Sequence, residues 1–214
     1  MRRSAIVAAL AVAVPFGVAA EWKKAYFGAT KPGSWAKYEL KASTGPNSTS
    51  TVTRLADADG RVRIEEHTEF GGGLTPPSTV VYEMAPGFEV DRDLIDFPKA
   101  LVAMTSAAGD DKPEPMPAAA IASIKQMMPQ YAPTATFRAA ETVGAKRCDR
   151  YTYSIPADAA GRVETGDLWL SDAVPFGLVK KTSTTKDTAG NVLYTTEQTL
   201  VNSGIKKATT KRVK

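Results

Sequence analysis

The sequence predicts an α+β domain in which a curved, mainly antiparallel sheet of about nine strands carries two central helices on its concave face. In the first and last thirds of the chain, apolar and polar residues alternate with a period of two, as in strands with one buried face. Turn-forming residues separate these runs. The middle of the chain instead shows the apolar spacing of helices.

The first 20 residues are predicted to form a secretory signal peptide. Arg2 and Arg3 precede an apolar run over residues 5–14, and small side chains precede a cleavage point after Ala20. The run is too short to cross a bilayer as a stable helix, although a membrane anchor is the alternative interpretation. We therefore expect a periplasmic or secreted protein after removal of residues 1–20.

Four strands are predicted in the segment that follows. Apolar and polar residues alternate over residues 34–42 and 62–70, and residues 51–56 and 79–84 are predicted as the second and fourth strands. Residues 57–60, Asp-Ala-Asp-Gly, have the composition of a hairpin turn. These strands are expected to form an antiparallel meander.

The middle of the chain predicts the two helices. Apolar residues at positions 94, 97, 101 and 104 give residues 91–107 a helical spacing, and Pro98 either begins or kinks this helix. Residues 109–117 are expected to form a linker. Residues 118–128 predict the second helix.

Five more strands are predicted in the last third. The first two cover residues 135–139 and 148–155, and the last covers residues 192–201. Residues 162–187 predict two strands joined by a Pro-Phe-Gly turn that fixes their register. Trp169 lies in the first of these two strands, as either a cavity wall or a packing anchor.

The charge of the chain is concentrated at its ends. Without the signal peptide, 25 basic and 23 acidic residues give a net charge of +2. Without the last nine residues as well, 20 basic and 23 acidic residues give −3. A basic nucleic-acid-binding face is therefore not predicted.

We expect one domain over residues 21–204 and a flexible basic tail over residues 205–214, with weak contact to a membrane surface as an alternative to a solvated end. The basic residues of the tail are Lys206, Lys207, Lys211, Arg212 and Lys214.

Residues with catalytic or metal-binding chemistry are few. His67, the single histidine, lies between Glu65 and Glu69 on the polar side of a strand, which indicates a solvated face more than a metal or acid–base site. Glu65 and Glu66 are expected to point to opposite faces, so they cannot act together. Cys148, the single cysteine, predicts a small buried hydrophobic residue, with a reactive thiol as the alternative. We expect neither a catalytic set nor a cofactor nor a metal.

The predicted helices carry a run of methionines. Met104, Met116, Met127 and Met128 lie on or beside them. Methionine suits surfaces that adapt to apolar ligands, so the helices and the sheet either enclose a cavity or pack as an ordinary core.

Three stretches resemble a known family. They are DLWLSDAVPFGLVK at 167–180, ETVGAKRCDRYTY at 141–153 and KPGSWAKYEL at 31–40. Their layout is similar to that of exported proteins of unassigned function and of the LolA/LolB-like lipoprotein carriers. That resemblance implies a half-open antiparallel barrel whose concave side is plugged by helices. It also implies a role in shielding a lipid or acyl chain, by analogy of fold.

These observations predict a periplasmic, non-enzymatic protein that binds a hydrophobic small molecule or a lipoprotein. An envelope accessory protein that acts through protein or membrane contacts is the alternative, and a hydrolase that uses His67 is a remote one. The residues expected to line the cavity are Phe70, Met104, Ile124, Met128 and Trp169.

Overall fold

One open, antiparallel sheet of 11 strands dominates the described part of the chain. The computed structural model describes residues 30–73, 75–88, 100–127, 135–155, 157–158 and 160–206. The predicted signal peptide, Met128 and the tail beyond Lys206 lie outside these residues.

The strands and the helix of the described residues follow each other in a simple order. The elements are β1 (Ser34–Ala42), β2 (Ser48–Arg54), β3 (Arg63–Phe70), β4 (Ser78–Met84), β5 (Leu101–Ala108), β6 (Glu114–Pro115), α1 (Ala118–Met127), β7 (Thr136–Val143), β8 (Lys146–Ile155), β9 (Val163–Leu170), β10 (Leu178–Lys186) and β11 (Val192–Ile205). Threonine, valine and tyrosine are frequent in the strands, which is typical of pleated, half-buried segments.

Two meanders meet at the centre of the sheet. The strand order is β6-β5-β4-β3-β2-β1-β11-β10-β9-β8-β7, and every neighbouring pair is antiparallel. The two meanders are joined by pairing of β1 with β11, in which Ser34 lies opposite Ile205. The strands β6 and β7 form the two edges.

The predicted fold class is therefore wrong in its helical part. The described residues contain one ten-residue helix rather than two central helices packed on the sheet, and eleven strands rather than about nine. The predicted helix over residues 91–107 fails because Leu101–Ala108 is β5, while residues 91–99 lie outside the described residues. Residues 118–127 of the second predicted helix do form α1.

A β-bulge explains the misleading helical spacing in β5. Glu83 pairs with Ala103 and Met84 pairs with Leu101, so Val102 is an extra residue on β5 and its side chain is 43% exposed. Leu101 and Met104 consequently both face the core although they are three residues apart. In a regular strand that spacing would place them on opposite faces.

One face of the sheet, here called the inner face, carries the main core. Its buried side chains come from both meanders and are joined by Phe88 and Phe176 from loops. The fully buried members of this core include Tyr38, Ala36, Met84, Leu101, Leu168, Leu170 and Leu178. The opposite, outer face is mainly polar and partly exposed.

The helix α1 lies against this core. Its alanine-rich sequence favours helix formation, and Lys125 in the last turn suits the negative end of the helix dipole. Ile121 and Ile124, three residues apart, face the core together with Met116 from the preceding segment, and all three are only partly buried. Among the described residues, no helix has the length and apolar character needed to cross a bilayer.

Candidate functional site

The inner face changes from apolar to polar along β2, β3 and β4. Small hydroxyl side chains at one end of these strands form what we call the hydroxyl patch: Ser48, Ser50, Thr68 and Ser78. Ser50 pairs with Thr68, which pairs with Ser78, so three of them lie in one row across the sheet. All four are buried. The patch is therefore a polar surface inside the core.

Glu66 lies in the next row of the inner face, beside the hydroxyl patch. Its register neighbours are Val52 and Val80, and the residue is only 8% exposed. The Ser50 hydroxyl donates to Oε1 at 3.1 Å, and the Tyr82 hydroxyl donates to Oε2 at 3.2 Å. Burial raises the pKa of Glu66 to about 7, although the hydroxyl hydrogen bonds oppose this shift. Its hydrogen-bond partners among the described residues are hydroxyls rather than cations.

A second polar group on the inner face has balanced charges. Lys181 Nζ lies 3.0 Å from Glu164 Oε1, and the Tyr153 hydroxyl donates to the same oxygen at 2.6 Å. Lys181 also lies over the Tyr153 ring, 5.4 Å from its centre. Burial and the nearby carboxylate raise the pKa of Tyr153, so its hydroxyl stays protonated. Glu66 differs from Glu164 because it has no such cation beside it in the described structure.

Three buried polar atoms of the inner face have no hydrogen-bond partner within the described part of the chain. They are Ser48 Oγ, Thr185 Oγ1 and Gln198 Nε2. Ser48 and Gln198 both pair with Leu40, from opposite sides, so they flank it on the same face. Buried polar atoms are usually satisfied by protein, water or ligand, so these positions indicate where a further polar group would be accommodated.

The predicted lining residues occupy different parts of the molecule. Met104 is buried in the main core, and Ile124 packs against the same core from α1. Phe70 is partly buried at the end of β3, opposite Ser48. The structure thus brings Met104 and Ile124 together, while Met128 lies outside the described residues.

Trp169 lies on the outer face. Leu168 and Leu170 on either side of it belong to the main core, so the alternation along β9 points Trp169 the other way. Its indole N–H donates to Glu141 Oε2 at 2.9 Å, and its ring lies 5.3 Å from Arg150 and 5.5 Å from Lys180. The surroundings of Trp169 are therefore charged side chains, with cation–π contacts to both cations.

His67 also lies on the outer face, as its position between Glu65 and Glu69 predicts. Its Nδ1 is 2.8 Å from Thr79 Oγ1, and its Nε2 is 4.0 Å from Glu69 Oε1. In the described residues, no three histidine, cysteine or acidic side chains lie close enough together to hold a metal ion.

Cys148 is buried in a small second cluster with Val174 and Val179. Burial raises the pKa of its thiol, which disfavours the reactive thiolate.

Lys206 is the one basic tail residue within the described part of the chain. Its backbone N–H donates to the Gly33 carbonyl at 2.8 Å, and its side chain lies 5.7 Å from the centre of the Trp35 ring. It is therefore held at the end of β11.

An open cleft of about 420 Å³ lies where β1 ends beside β10 and β11. Of the predicted lining residues that the structure describes, Phe70, Met104, Ile124 and Trp169, none borders it. The cleft is lined by Lys41, Ala42, Ser43, Thr182, Ser183, Thr184, Thr195, Thr196 and Glu197. These polar side chains do not form an apolar site.

Comparisons with known proteins give limited similarity. No family model matches the chain, and no curated protein matches it. Among solved structures, the chain is similar to a crystal structure of MucB, with a TM-score of 0.44 and 14% sequence identity over 91% of this chain. It spans 62% of the length of that protein.

A second similar structure is that of a lipoprotein candidate from Parabacteroides distasonis. The TM-score is 0.39 and the sequence identity 9%, covering 84% of this chain and 98% of that one. Similarities at this level do not assign a function, and the LolA/LolB-like resemblance of the sequence stays a prediction.

Proposed function

We propose that the protein is an exported, non-enzymatic binding protein of the cell envelope that takes up an apolar ligand on its inner face. The observation that carries this proposal is the incomplete burial of the apolar side chains of α1 and the segment before it. Met116, Ile121 and Ile124 pack on the core but keep part of their surface outside it. An apolar ligand inserted there would cover surface on both the helix and the sheet.

The helix is suited to act as a movable cover. It has ten residues, and isolated helices of this length are marginal in water. Its position therefore depends on packing, mainly against β5. Displacing it would expose the apolar inner surface near Leu101 and Met104.

The chemistry of the inner face supports binding of an amphiphile. Apolar side chains form most of the surface, and a few polar groups lie at defined positions beside them. The signal-peptide features of residues 1–20 support export to the periplasm or beyond.

The test is to purify the protein from the periplasm, extract bound lipid and identify it by mass spectrometry. In parallel, a fluorescent fatty-acyl probe is titrated against the wild type and Met104→Trp. The larger side chain would crowd the region where α1 packs against β5, so we expect probe binding to weaken about tenfold or more. The matched control is Thr105→Trp, since Thr105 is the next residue and points to the outer face.

Circular dichroism establishes that both variants fold. Recovery of no lipid, together with no probe binding by the wild type, would contradict the proposed function. Equal weakening by both tryptophan variants would place the site elsewhere.

An envelope accessory protein remains the second candidate, because β7 is an exposed edge strand. Its eight residues, Thr136–Val143, pair only with β8 in the described sheet, and Phe137 on it is 46% exposed. Such an edge can accept a strand from a partner protein.

Deleting residues 207–214, which include four of the five basic tail residues, tests the membrane-surface alternative by cosedimentation with anionic vesicles. Loss of sedimentation with intact probe uptake would favour this second function.

A further inference from the structure

We propose that Glu66 and the hydroxyl patch form a headgroup subsite, which binds the uncharged or cationic hydrogen-bond-donating end of an apolar-chain ligand and discriminates against an anionic end. This inference rests on the proposed function and specifies its ligand class. An amine, an amide or a hydroxyl headgroup shares the required chemistry.

The subsite is continuous with the apolar part of the inner face. Ile64 precedes Glu66 on the same face of β3, and its row continues through Tyr82 to Met104. Beyond Glu66, the same strand carries Thr68, which belongs to the hydroxyl patch. A chain lying on Ile64 and Met104 would therefore place its polar end at Glu66.

The charge at Glu66 decides which headgroup fits. Its two oxygens accept hydrogen bonds from Ser50 and Tyr82, and no cation neighbours the carboxylate among the described residues. The partly buried cation Lys181 is already paired with Glu164. An anionic headgroup would meet a like charge in a region of low dielectric constant, whereas a donor would bond to the carboxylate.

The unpartnered Ser48 Oγ in the hydroxyl patch is an independent indication of a missing polar group. Ser48 is more than nine-tenths buried and lies two residues from Ser50 on the same face of β2. A hydroxyl or amide headgroup that extends from Glu66 into the hydroxyl patch would supply the partner that the described protein atoms do not. Gln198 lies two strands beyond Ser48, so its unpartnered Nε2 does not belong to this subsite.

The experiment compares apolar probes of the same chain length that differ only in the headgroup: an alkyl amine, an alkyl alcohol and a fatty acid. Each compound is added at pH 8, below its own critical micelle concentration. Its displacement of a fluorescent acyl probe from the full-length mature protein is measured. We expect the amine and the alcohol to displace the probe at concentrations about tenfold lower than the fatty acid. In Glu66→Gln, which keeps the size of the side chain, this preference should fall to about twofold or less.

Two further variants make the result specific. Ser50→Ala removes one hydroxyl that holds the carboxylate and should reduce the preference without abolishing probe binding, which keeps the inference testable if Glu66→Gln does not fold. Glu65→Gln changes the adjacent residue on the outer face and should leave the preference unchanged.

A preference for the fatty acid, or the same preference in wild type and Glu66→Gln, would overturn the headgroup subsite while leaving the proposed function intact. Absence of binding by every probe would overturn the proposed function itself.

Discussion

At the scale of single residues, Glu66 shows what a sequence pattern can and cannot predict. Alternation along residues 62–70 correctly places Glu66 on the same face as Ile64 and opposite Glu65. The pattern cannot predict that Ser50 and Tyr82 donate hydrogen bonds to its carboxylate. These residues lie on β2 and β4, and only the pairing of those strands with β3 places them there. A glutamate at an inward position of a regular strand is the only signal that the sequence offers.

The raised pKa of Glu66 predicts how stability depends on pH. In the unfolded chain the carboxyl group titrates near 4.5, whereas in the folded protein it titrates near 7. Between these values the folded state binds the proton more tightly, so the free energy of unfolding falls as pH rises from about 4.5 to about 7, by on the order of 3 kcal/mol. Below this range the group is protonated in both states, and above it the loss is complete.

Replacing Glu66 by glutamine should remove this contribution. Thermal unfolding followed by circular dichroism at several pH values should show a flatter dependence for Glu66→Gln than for the wild type between pH 4.5 and 7. The control Glu65→Gln should keep the wild-type slope. Identical slopes for the wild type and Glu66→Gln would mean that Glu66 is not buried in solution.

Cys148 gives a second prediction at this scale. Its side chain is buried and the pKa of its thiol is raised by that burial, so little thiolate is available to react. Iodoacetamide should therefore label the native protein at least about tenfold more slowly than the protein unfolded in urea. Mass spectrometry of quenched samples measures both rates. Equal rates would indicate an exposed, reactive thiol.

At the scale of elements, the strands were predictable where side chains alternate, and of the two predicted helices only the second was right, over residues 118–127. The clearest cases are β1, β2 and β3, in which buried residues alternate with less buried ones as a half-buried strand requires. In β5 the bulge at Val102 places Leu101 and Met104 on one face and produces the spacing of a helical turn. In the sequence alone, a bulged strand and a helix give the same spacing. Only the pairing of β5 with β4 distinguishes them.

Gly166 provides a test of the packing between β8, β9 and β10. It lies opposite Tyr153 on one side and Ser183 on the other. A Cβ atom at this position would overlap the Thr182 carbonyl oxygen and approach the Tyr153 ring to 2.9 Å. We therefore expect Gly166→Ala to lower the free energy of unfolding by about 2 kcal/mol, since backbone would have to shift.

Urea unfolding measures this effect as a lower midpoint with an unchanged slope. The matched control is Thr165→Ala, the exposed neighbour in β9, which should change stability by about 0.5 kcal/mol or less. Equal midpoints for the two variants would show that the strands move apart easily around Gly166.

At the scale of the whole molecule, the first and last strands hold the two meanders together. Pairing of β1 with β11 brings Gly33 and Lys206 into hydrogen-bond contact, although they lie at opposite ends of the described chain. Every other neighbouring pair of strands follows directly along the sequence. Local patterns predict hairpins, but they carry no information about this long-range pair, so the strand order could not be derived from the sequence.

This topology predicts that a circular permutant should fold faster than the natural order. Joining Lys214 to the expected mature N-terminus Glu21 by a short Gly-Ser linker makes the β1–β11 pair local. The chain is opened in the exposed turn between Asp110 and Asp111. This interrupts a single connection, the one between β5 and the two-residue strand β6. Mean sequence separation of contacts falls, and so does the loop-closure entropy lost before the central pair forms. We expect refolding, measured by stopped-flow fluorescence after dilution from urea, to be about threefold faster or more.

The matched control has the same join but is opened in the turn between Ala189 and Gly190. That opening turns β10 and β11, which pair extensively, into the first and last strands, so one long-range pair replaces another. Its refolding rate should therefore stay close to that of the natural order, while the permutant opened at Asp110 is faster. If both permutants accelerate equally, the linker itself speeds folding. If neither does, β1–β11 pairing forms after the rate-limiting step, and the two meanders fold before they join.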